Sequence, residues 1–277
     1  MQGGVLHENN LQEENGKGER EAPMDDFLFR GRDIAQFGAV AAFGDSMTVG
    51  TAIRRSEYEL PGGGSLLIGE DAYGPITRTV TVMPADGVTA DGAWVRRILA
   101  WLTAGRGKLT VKHSPDTYRM AQFDDAGTYG TRAWPLGALQ LTCTMQGLAH
   151  AAQESRFLAG TQGGQASLTA RFDTALPAPA RVTLTPTSGT VTKAVLQARG
   201  KTLVLEGLNL PAGKTLCYFA GDPLQGEAAF LTAGGEDAYA LCTHWAQLSL
   251  DSGDVLIVAL TGGQWQAALA VRGRWPG

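Results

Sequence analysis

The stretch DGAWVRRILAWLTAGRGKLTVKHSPDTYRMAQF, residues 91–123, decides the fold because its pattern changes from helical to extended. In its first part the large apolar residues recur at i, i+4, i+7 and i+8, which predicts one wide apolar stripe on a helix: Trp94, Ile98, Trp101 and Leu102. Asp91 suits an N-cap and Gly105 a left-handed stop, so the helix is predicted over residues 91–104. From Gly107 the apolar period becomes two, which predicts a strand pair interrupted at residues 114–116.

The rest of the chain is predicted to be mainly β, because no other stretch shows comparable helical periodicity. Glycine accounts for 37 of 277 residues, which is well above its average share. Many glycines without a fixed period are typical of short strands joined by tight turns. Residues 77–83 and 139–145 alternate between apolar and polar side chains, which is the pattern of half-buried strands.

Charge, cysteine content and hydropathy narrow the class of protein. The net charge is −4 and no dense Lys/Arg block occurs, which argues against nucleic-acid binding. The three cysteines form no C-x-x-C pair, and their odd number predicts reduced, buried thiols: Cys143, Cys217 and Cys242. The longest apolar run, Val255 to Leu260, is far shorter than the ~20 residues of a membrane helix. We therefore expect synthesis in a cytoplasm, no signal-peptide export and no membrane contact.

Four segments are predicted along the chain. Residues 1–23 are polar and rich in Glu, so they are expected to be a disordered tail or a mis-assigned start upstream of Met24. Residues 24–148 are expected to form an N-terminal β-sandwich domain that carries the helix and a hairpin. Residues 149–165 lose the alternating pattern and are expected to be an inter-domain linker. Residues 166–277 are expected to form the second domain.

This second domain is predicted to be a β-sandwich as well. Its sequence consists of short strand patterns with turn signals every eight to twelve residues and no helix between them. Gly262-Gly263 is the clearest two-residue hairpin turn.

The block from Ala42 to Gly50, AFGDSMTVG, resembles the nucleophile block of GDSL-type esterases, with Ser46 as the nucleophile. Such chemistry also needs a base that takes the serine proton and a group that orients this base. In those enzymes an Asp-x-x-His supplies the base, and none of the four histidines here has Asp three residues before it. Their α/β fold also needs several crossover helices. Ser46 is therefore expected to be idle, and no catalytic residue is assigned.

Acidic pairs could suggest a cation site: Asp124-Asp125, Glu236-Asp237 and Asp251-x-x-Asp254. Each lies near glycine, as ordinary loop residues do, and none has EF-hand spacing. We therefore predict neither a metal site nor a cofactor site. Trp94 and Trp101 are expected in the core, whereas four scattered tryptophans leave a sugar-stacking surface open: Trp134, Trp245, Trp265 and Trp275.

Taken in order, four blocks of the sequence resemble the distal tail (Dit) proteins of long-tailed, siphophage-type bacteriophages. The opening strands F-x-G … F-G correspond to residues 29–31 and 37–38, and the turn v-P-G-R-x-G-x-L corresponds to residues 60–66, with Gly63 in place of arginine. The unit I-x-x-W-L … L … P-D-x-Y-Y-x-A is matched at Ile98, Trp101, Leu102, Leu109, Pro115, Asp116, Tyr118 and Ala121. Arg119 stands where a second aromatic residue is common.

The remaining part of the resemblance is weaker. The strand with Cys143 resembles the domain-closing F-x-C-x-P, although Gly147 stands where proline is expected. Residues 205–214 and 248–258 resemble late strands of the second domain. The resemblance covers about residues 24–277.

The resemblance implies two β-sandwich domains, the N-terminal one with a single prominent α-helix and a hairpin, and the C-terminal one galectin-like. It implies a structural virion protein, not an enzyme, made in the cytoplasm of the bacterial host and located in the phage tail. Residues 24–148 would build a homo-hexameric ring at the distal end of a long non-contractile tail, with two rings back to back in some members of the family.

The implied partners are the tail tube protein, the tape-measure protein and the baseplate hub or tail-associated lysin. Genome DNA would pass through the ring without being specifically bound. The galectin sugar signature is absent from the sequence, so the fold alone does not imply lectin activity. Two alternatives stay open: a carbohydrate-binding β-sandwich module, and a GDSL-type esterase that uses Ser46.

Overall fold

A computed structural model gives the structure of residues 26–44, 53–59, 65–128 and 138–276. The predicted tail, the glycine-rich turn at 61–64, Ser46 and Trp134 lie outside the described residues. The fold is mainly β, as predicted, with several antiparallel sheets and, in the described residues, one α-helix. This confirms the predicted β-sandwich-rich fold class.

The N-terminal half contains the helix α1 (Gly92–Leu102), a 3-10 helix (Ile34–Phe37) and the strands β1 (Phe27–Phe29), β2 (Arg32–Asp33), β3 (Ala39–Phe43), β4 (Ile53–Glu59), β5 (Ser65–Tyr73), β6 (Ile76–Pro84), β7 (Gly107–Val111), β8 (Thr117–Thr128), β9 (Leu139–Met145) and β10 (Leu148–Ala151).

The C-terminal half contains a 3-10 helix (Tyr239–Leu241) and the strands β11 (Ser155–Gln162), β12 (Gln165–Thr169), β13 (Ala178–Pro179), β14 (Arg181–Ser188), β15 (Thr190–Ala198), β16 (Lys201–Pro211), β17 (Leu216–Phe219), β18 (Phe230–Ala233), β19 (Glu236–Asp237), β20 (Cys242–His244), β21 (Ser249–Leu250), β22 (Val255–Thr261), β23 (Gln264–Val271) and β24 (Arg274–Pro276).

Helix α1 forms where the apolar stripe predicts it. The Asp91 carboxylate accepts hydrogen bonds from the backbone N–H groups of Ala93 and Trp94, at 3.0 and 2.7 Å, and so caps the helix. The helix ends at Leu102, two residues before the predicted end, because the chain already leaves the helical path at Thr103, the C-cap. Gly105 has a φ of 104°, so the left-handed residue lies shortly after the C-cap and not at the end of the helix itself.

Seven strands of the N-terminal half form one antiparallel sheet in the order β2-β1-β7-β8-β9-β6-β3. Strands β1 and β3 lie near opposite ends of this order, yet the ring centroids of Phe27 and Phe43 are only 5.8 Å apart. The sheet is therefore strongly curved, and its two ends face each other across a single core. The buried stripe of α1 belongs to the same core.

The two tryptophans of α1 lie in this core, as predicted. Trp94 is 1% exposed and Trp101 is 7% exposed. Each indole N–H finds a backbone acceptor: Trp94 donates to Phe37 O at 3.0 Å, and Trp101 donates to Phe29 O at 3.2 Å. The helix is thereby fixed to both β1 and the 3-10 helix, because a buried indole N–H needs such a partner.

The C-terminal half is a sandwich of two sheets, with the orders β11-β23-β14-β17-β18-β19 and β12-β22-β15-β16-β20, which share one core. Strands β22 and β23 are joined by Gly262-Gly263, whose φ values of 92° and 71° lie in the left-handed region that favours glycine. A Cβ atom at Gly263 would lie 2.1 Å from the carbonyl oxygen of Ser188. The predicted two-residue hairpin is wrong, because β22 and β23 belong to different sheets and do not pair with each other. The Gly262-Gly263 turn instead carries the chain from one sheet of the sandwich to the other.

The segment predicted as a linker, residues 149–165, contains most of β10 and all of β11. It loses the alternating pattern because β10 is buried on both faces: Leu148, Ala149 and His150 are all buried in succession. The segment is therefore mostly strand, and the position of the domain boundary stays a prediction.

Candidate functional site

The two halves of the chain meet at strand β10. This strand pairs on one side with β8 of the N-terminal sheet and on the other side with β24, the last strand of the chain. His150 is the common point, since it lies opposite Tyr118 on β8 and opposite Arg274 on β24. Strand β24 therefore returns to the N-terminal half, and backbone pairing through β10 joins the two halves.

A polar cluster, which we call the joint network, lies at this meeting point and consists of Tyr118, His150, Glu154, Asp222, Gln225 and Arg272. The Arg272 guanidinium donates from Nη1 to Tyr118 Oη at 2.7 Å and to Gln225 Oε1 at 3.1 Å, and from Nη2 to Glu154 Oε1 at 3.4 Å. The Tyr118 hydroxyl in turn donates to Gln225 Oε1. Tyr118 belongs to the N-terminal sheet, whereas Arg272 and Gln225 belong to the C-terminal half.

The deeper part of the joint network is centred on Asp222. Gln225 Nε2 donates to Asp222 Oδ2 at 2.8 Å and lies 3.3 Å from His150 Nδ1. Asp222 Oδ1 accepts from the backbone N–H of Leu224 at 3.1 Å. Asp222 is 2% exposed and His150 is 0% exposed. Asp222 thus finds its hydrogen-bond partners within its own turn, and Gln225 of that turn connects it to His150 on β10, as buried polar groups require.

Burial sets the protonation states in the joint network. It lowers the pKa of His150 to about 4, although the nearby Asp222 carboxylate acts in the opposite direction. Burial also raises the pKa of Tyr118 to about 12, against the influence of the Arg272 charge. At neutral pH the imidazole is therefore neutral and the phenol is protonated. His150 Nε2 has no hydrogen-bond partner among the described residues.

This arrangement suits a structural tie between the two halves. The side chains of Tyr118, His150 and Asp222 are each no more than 3% exposed, so a substrate cannot reach them. The residues that meet are up to 154 positions apart in the sequence. The sequence singled out Tyr118 only through the family resemblance, and no sequence signal marks Asp222, Gln225 or Arg272.

The acidic pairs singled out in the sequence serve local structure. Arg199 forms ion pairs with Asp251 at 3.0 Å and with Asp254 at 3.6 Å. Asp237 accepts from the backbone N–H of Tyr239 at 2.8 Å, and Asp124 accepts from the Thr144 hydroxyl at 3.2 Å. Within the described residues no group of three or more His, Cys, Asp or Glu side chains is arranged to hold a metal ion.

The three cysteines are free, but only one is buried. Cys143 lies in the N-terminal core, and burial raises the pKa of its thiol to about 12. The predicted burial is wrong for the other two. Cys217 alternates on β17 with the buried Leu216 and Tyr218 and so faces outward, and Cys242 lies on β20, at the edge of its sheet.

The residues of the esterase alternative are not brought together in the described part of the chain. Ser46 lies outside it, as does His7. His150 is enclosed in the joint network and His244 is exposed. The family-type base, an Asp-x-x-His, is missing from the sequence, so no described histidine takes that role.

Large apolar side chains are exposed at a few described positions. Leu158, on the edge strand β11, is 78% exposed. Tyr239 and Trp245 are 42% and 37% exposed, and their ring centroids are 5.2 Å apart. Tyr218 fixes the backbone that follows Trp245, because its hydroxyl donates to Ala246 O and accepts from the N–H of Leu248. No helix in the described residues is long and apolar enough to cross a membrane.

No protein-family model and no curated protein sequence matches this chain. Among solved structures, the fold is similar to the Dit (gp 19.1) protein of phage SPP1, a paradigm of the hub adsorption apparatus in phages that infect Gram-positive hosts. The TM-score is 0.61 and the sequence identity is 12%, and the match covers 91% of this chain and 100% of that chain.

Two structures of the phage P2 baseplate in its activated conformation, with Ca and with Sr, also match at a TM-score of 0.46 and 7% identity. They cover 91% and 90% of this chain and 98% of each of those chains. The likeness to the SPP1 protein concerns the fold, and at that level it confirms the resemblance to distal tail proteins that the sequence blocks indicate.

Proposed function

We propose that this chain is a distal tail protein of a siphophage-type bacteriophage, a structural component of the tail tip. The observation that carries this proposal is the match of fold over nearly the whole length of both chains with the SPP1 protein. A match confined to one sandwich would mean little, since sandwiches serve many functions. Here a single match spans the helix-bearing N-terminal half, the joint and the C-terminal sandwich.

The sequence blocks support the same assignment independently. The segment matched to I-x-x-W-L is the buried stripe of α1, and the segment matched to P-D-x-Y leads into β8 and the joint network. Two residues that carry the resemblance therefore have structural roles here: Trp101 lies in the core, and Tyr118 lies at the joint. Sequence pattern and fold agree at those positions.

The N-terminal half is the part that we expect to build a hexameric ring. A closed ring is a head-to-tail assembly, in which two different surfaces of each subunit meet. Strand β3 is at one end of the curved sheet, and the hairpin β4–β5 pairs with no other strand of the described residues. Both offer unpaired backbone groups that a neighbouring subunit can complete. We propose these elements as the ring contacts, with one or two rings per tail.

In this proposal the C-terminal half is galectin-like and hangs outside the ring. The joint network holds the C-terminal half against the ring-forming half, so a displacement of one half would move the other half with it. The partners are the tail tube protein, the tape-measure protein and the baseplate hub or tail-associated lysin. The role is architectural and not catalytic, and the genome passes through the ring without specific binding.

The exposed pair Tyr239 and Trp245 favours a second candidate, a carbohydrate-binding module. An aromatic surface supported by a buried tyrosine is rigid, and Lys201, His244 and Gln247 surround a shallow depression beside it. Sugar rings stack on such surfaces while hydroxyls bond to the polar rim. Tryptophan fluorescence, followed while soluble oligosaccharides are added, tests this candidate. A fluorescence change that is lost in Trp245→Ala would support a carbohydrate-binding module. No change with any of the sugars would contradict it.

The assignment to the tail tip is tested by immunogold electron microscopy of phage particles produced from the genome that encodes this chain. Gold at the distal end of the tail is the expected result. Gold on the capsid or along the tail shaft, or a protein absent from purified virions, would refute the assignment. Antibodies raised against an unrelated cytoplasmic protein of the host serve as the control.

A further inference from the structure

Two arginines occupy inward-facing positions of the curved N-terminal sheet. Arg78 on β6 lies two residues from both Ile76 and Val80 and shares their face of the strand, which is buried in the core. Arg119 on β8 lies two residues from Ala121 and shares its face of the strand, which is also buried in the core. Because side chains on a strand alternate between the two faces, both arginines lie on the core side of the sheet.

A cavity of about 230 Å³ lies between these arginines. Its polar lining also includes the hydroxyls of Ser114 and Thr117, which are 3.0 Å from each other, and part of its apolar wall is Leu109. We call it the inner arginine pocket. Both arginines are half-buried, and the cavity that they line is open to solvent.

The two charges in the inner arginine pocket are not neutralised within the described residues. No Asp or Glu side chain of that part of the chain forms an ion pair with Arg78 or Arg119. Arg119 donates from Nη1 to Gln146 O at 3.1 Å, whereas Arg78 Nε is buried without a hydrogen-bond partner.

The two guanidinium groups also disfavour each other. Burial and the charge of Arg78 together lower the pKa of Arg119. Buried charges are unfavourable unless they are paired and hydrogen-bonded, and like charges side by side add repulsion. A lone structural arginine would be expected to reach solvent or a carboxylate. Two arginines that line one cavity, one of them with an orphaned Nε, have the chemistry of an anion site.

We propose that the inner arginine pocket binds an oxyanion of the phosphate or carboxylate type between Arg78 and Arg119. A guanidinium presents parallel N–H donors whose spacing matches two oxygens of such a group. The hydroxyls of Ser114 and Thr117 are available for a further oxygen. This site is independent of the proposed tail-tip role, since it needs neither a ring nor a tail partner.

Thermal unfolding of the full chain tests the proposal. The protein is melted at pH 7 in chloride, in chloride with 10 mM phosphate and in chloride with 10 mM formate, at constant ionic strength. An anion present at about ten times its Kd is expected to raise the Tm by roughly 3 °C or more. The phosphate and formate arms distinguish the two kinds of oxyanion. The general salting-out effect of phosphate needs far higher concentrations and is the same for all variants.

Three variants separate binding from a structural role. Arg78→Met and Arg119→Met keep an apolar stem and remove the charge, so they should abolish the anion-induced rise in Tm. In chloride alone they should melt at or above the wild-type Tm, because the repulsion is removed. Arg96→Met is the matched control, since Arg96 is exposed on α1 and lies outside the pocket. It should keep the full response to the anion.

Equal shifts in all four proteins would mean that the anion acts at the surface only, and no shift in the wild type would refute the site. A fall of Tm in chloride for both pocket variants, with the anion response intact, would assign the arginines to packing alone. If a pocket variant does not fold, calorimetric titration of the wild type with phosphate and with formate decides. No heat of binding at millimolar concentration contradicts the proposal.

Discussion

Arg272 and Tyr118, 154 positions apart in the sequence, are joined by a hydrogen bond of 2.7 Å from the guanidinium Nη1 to the phenol oxygen. The guanidinium carbon also lies 5.6 Å from the centroid of the Tyr118 ring. The pair connects strand β8 of the N-terminal sheet with the end of β23 in the C-terminal sandwich. It is therefore a direct side-chain link between the two halves of the chain.

Tyr118→Phe should weaken this link. The variant keeps the ring but removes the hydroxyl that accepts from Arg272 and donates to Gln225, and it leaves both half-buried partners without this contact. Losing one partner of a buried hydrogen bond to a charged group costs about 1–3 kcal/mol. The urea midpoint of unfolding should fall accordingly. Tyr239→Phe is the control, because Tyr239 is 42% exposed; equal midpoints for both variants would contradict the role given to Tyr118.

His150 should make the protein sensitive to acid. Its folded-state pKa, about 4, lies below the value of about 6.5 in an unfolded chain. Between these values the unfolded state binds the proton and the folded state does not, so stability is complete above pH 6.5 and falls as the pH falls toward 4. The loss is on the order of 3 kcal/mol at most.

The measurement is the Tm at pH 7 and at pH 4.5 in the wild type and in His150→Gln. The wild type should lose more, because the variant has no imidazole to protonate. His244→Gln, at an exposed position, should behave like the wild type. A drop of the same size in His150→Gln would show that other groups cause the acid sensitivity.

Trp101→Ala should destabilise the N-terminal core strongly. The indole is 7% exposed and stacks on Phe37 with ring centroids 4.3 Å apart. Truncating a buried tryptophan costs about 3–5 kcal/mol. Trp245→Ala removes the same side chain from a position that is 37% exposed, so its effect on the free energy of unfolding should be much smaller. Denaturant unfolding followed by circular dichroism compares the two, and the reverse order would place Trp101 outside the core.

Gly273→Ala should strain the joint. A Cβ atom there would lie 2.1 Å from the carbonyl oxygen of Asp173, which is a backbone atom that cannot move aside alone. Strand β24 would have to shift away from β10, and amide hydrogen exchange of β10 should become faster. Gly160→Ala is the matched control, since nothing lies within 4 Å of its Cβ position. Unchanged exchange in Gly273→Ala would mean that the joint tolerates the shift.

The sequence predicts the local features of this fold, but it does not predict contacts between residues that are far apart in the chain. The stripe of α1, its Asp91 cap and the alternating strands depend on residues within a turn or two of each other, so spacing alone predicts them. The tight turn at Gly262-Gly263 is equally local, but the sequence does not show that it joins two different sheets instead of two paired strands. Strand β10 was hidden because both of its faces are buried, which removes the alternation that identifies a half-exposed strand.

The joint network shows the same limit at the candidate site. Tyr118 bonds to Gln225 and Arg272, which are 107 and 154 positions away, and nothing in the local sequence of Asp222 or Arg272 indicates these partners. For a related reason, the sequence alone does not predict the inner arginine pocket. Arg78 breaks the apolar side of an otherwise regular strand, but a single charged residue at an inward position becomes informative only when Arg119 is seen beside it.

Ring formation tests the proposed function most directly. The measurement is negative-stain electron microscopy, with native mass spectrometry, of the full chain at high concentration, alone and with the tail tube and hub proteins of the same phage. Six-fold rings, single or paired, are expected, either for the chain alone or when these partners are added. A protein that stays monomeric under both conditions and binds neither the tube protein nor the hub protein would contradict its assignment as a distal tail protein.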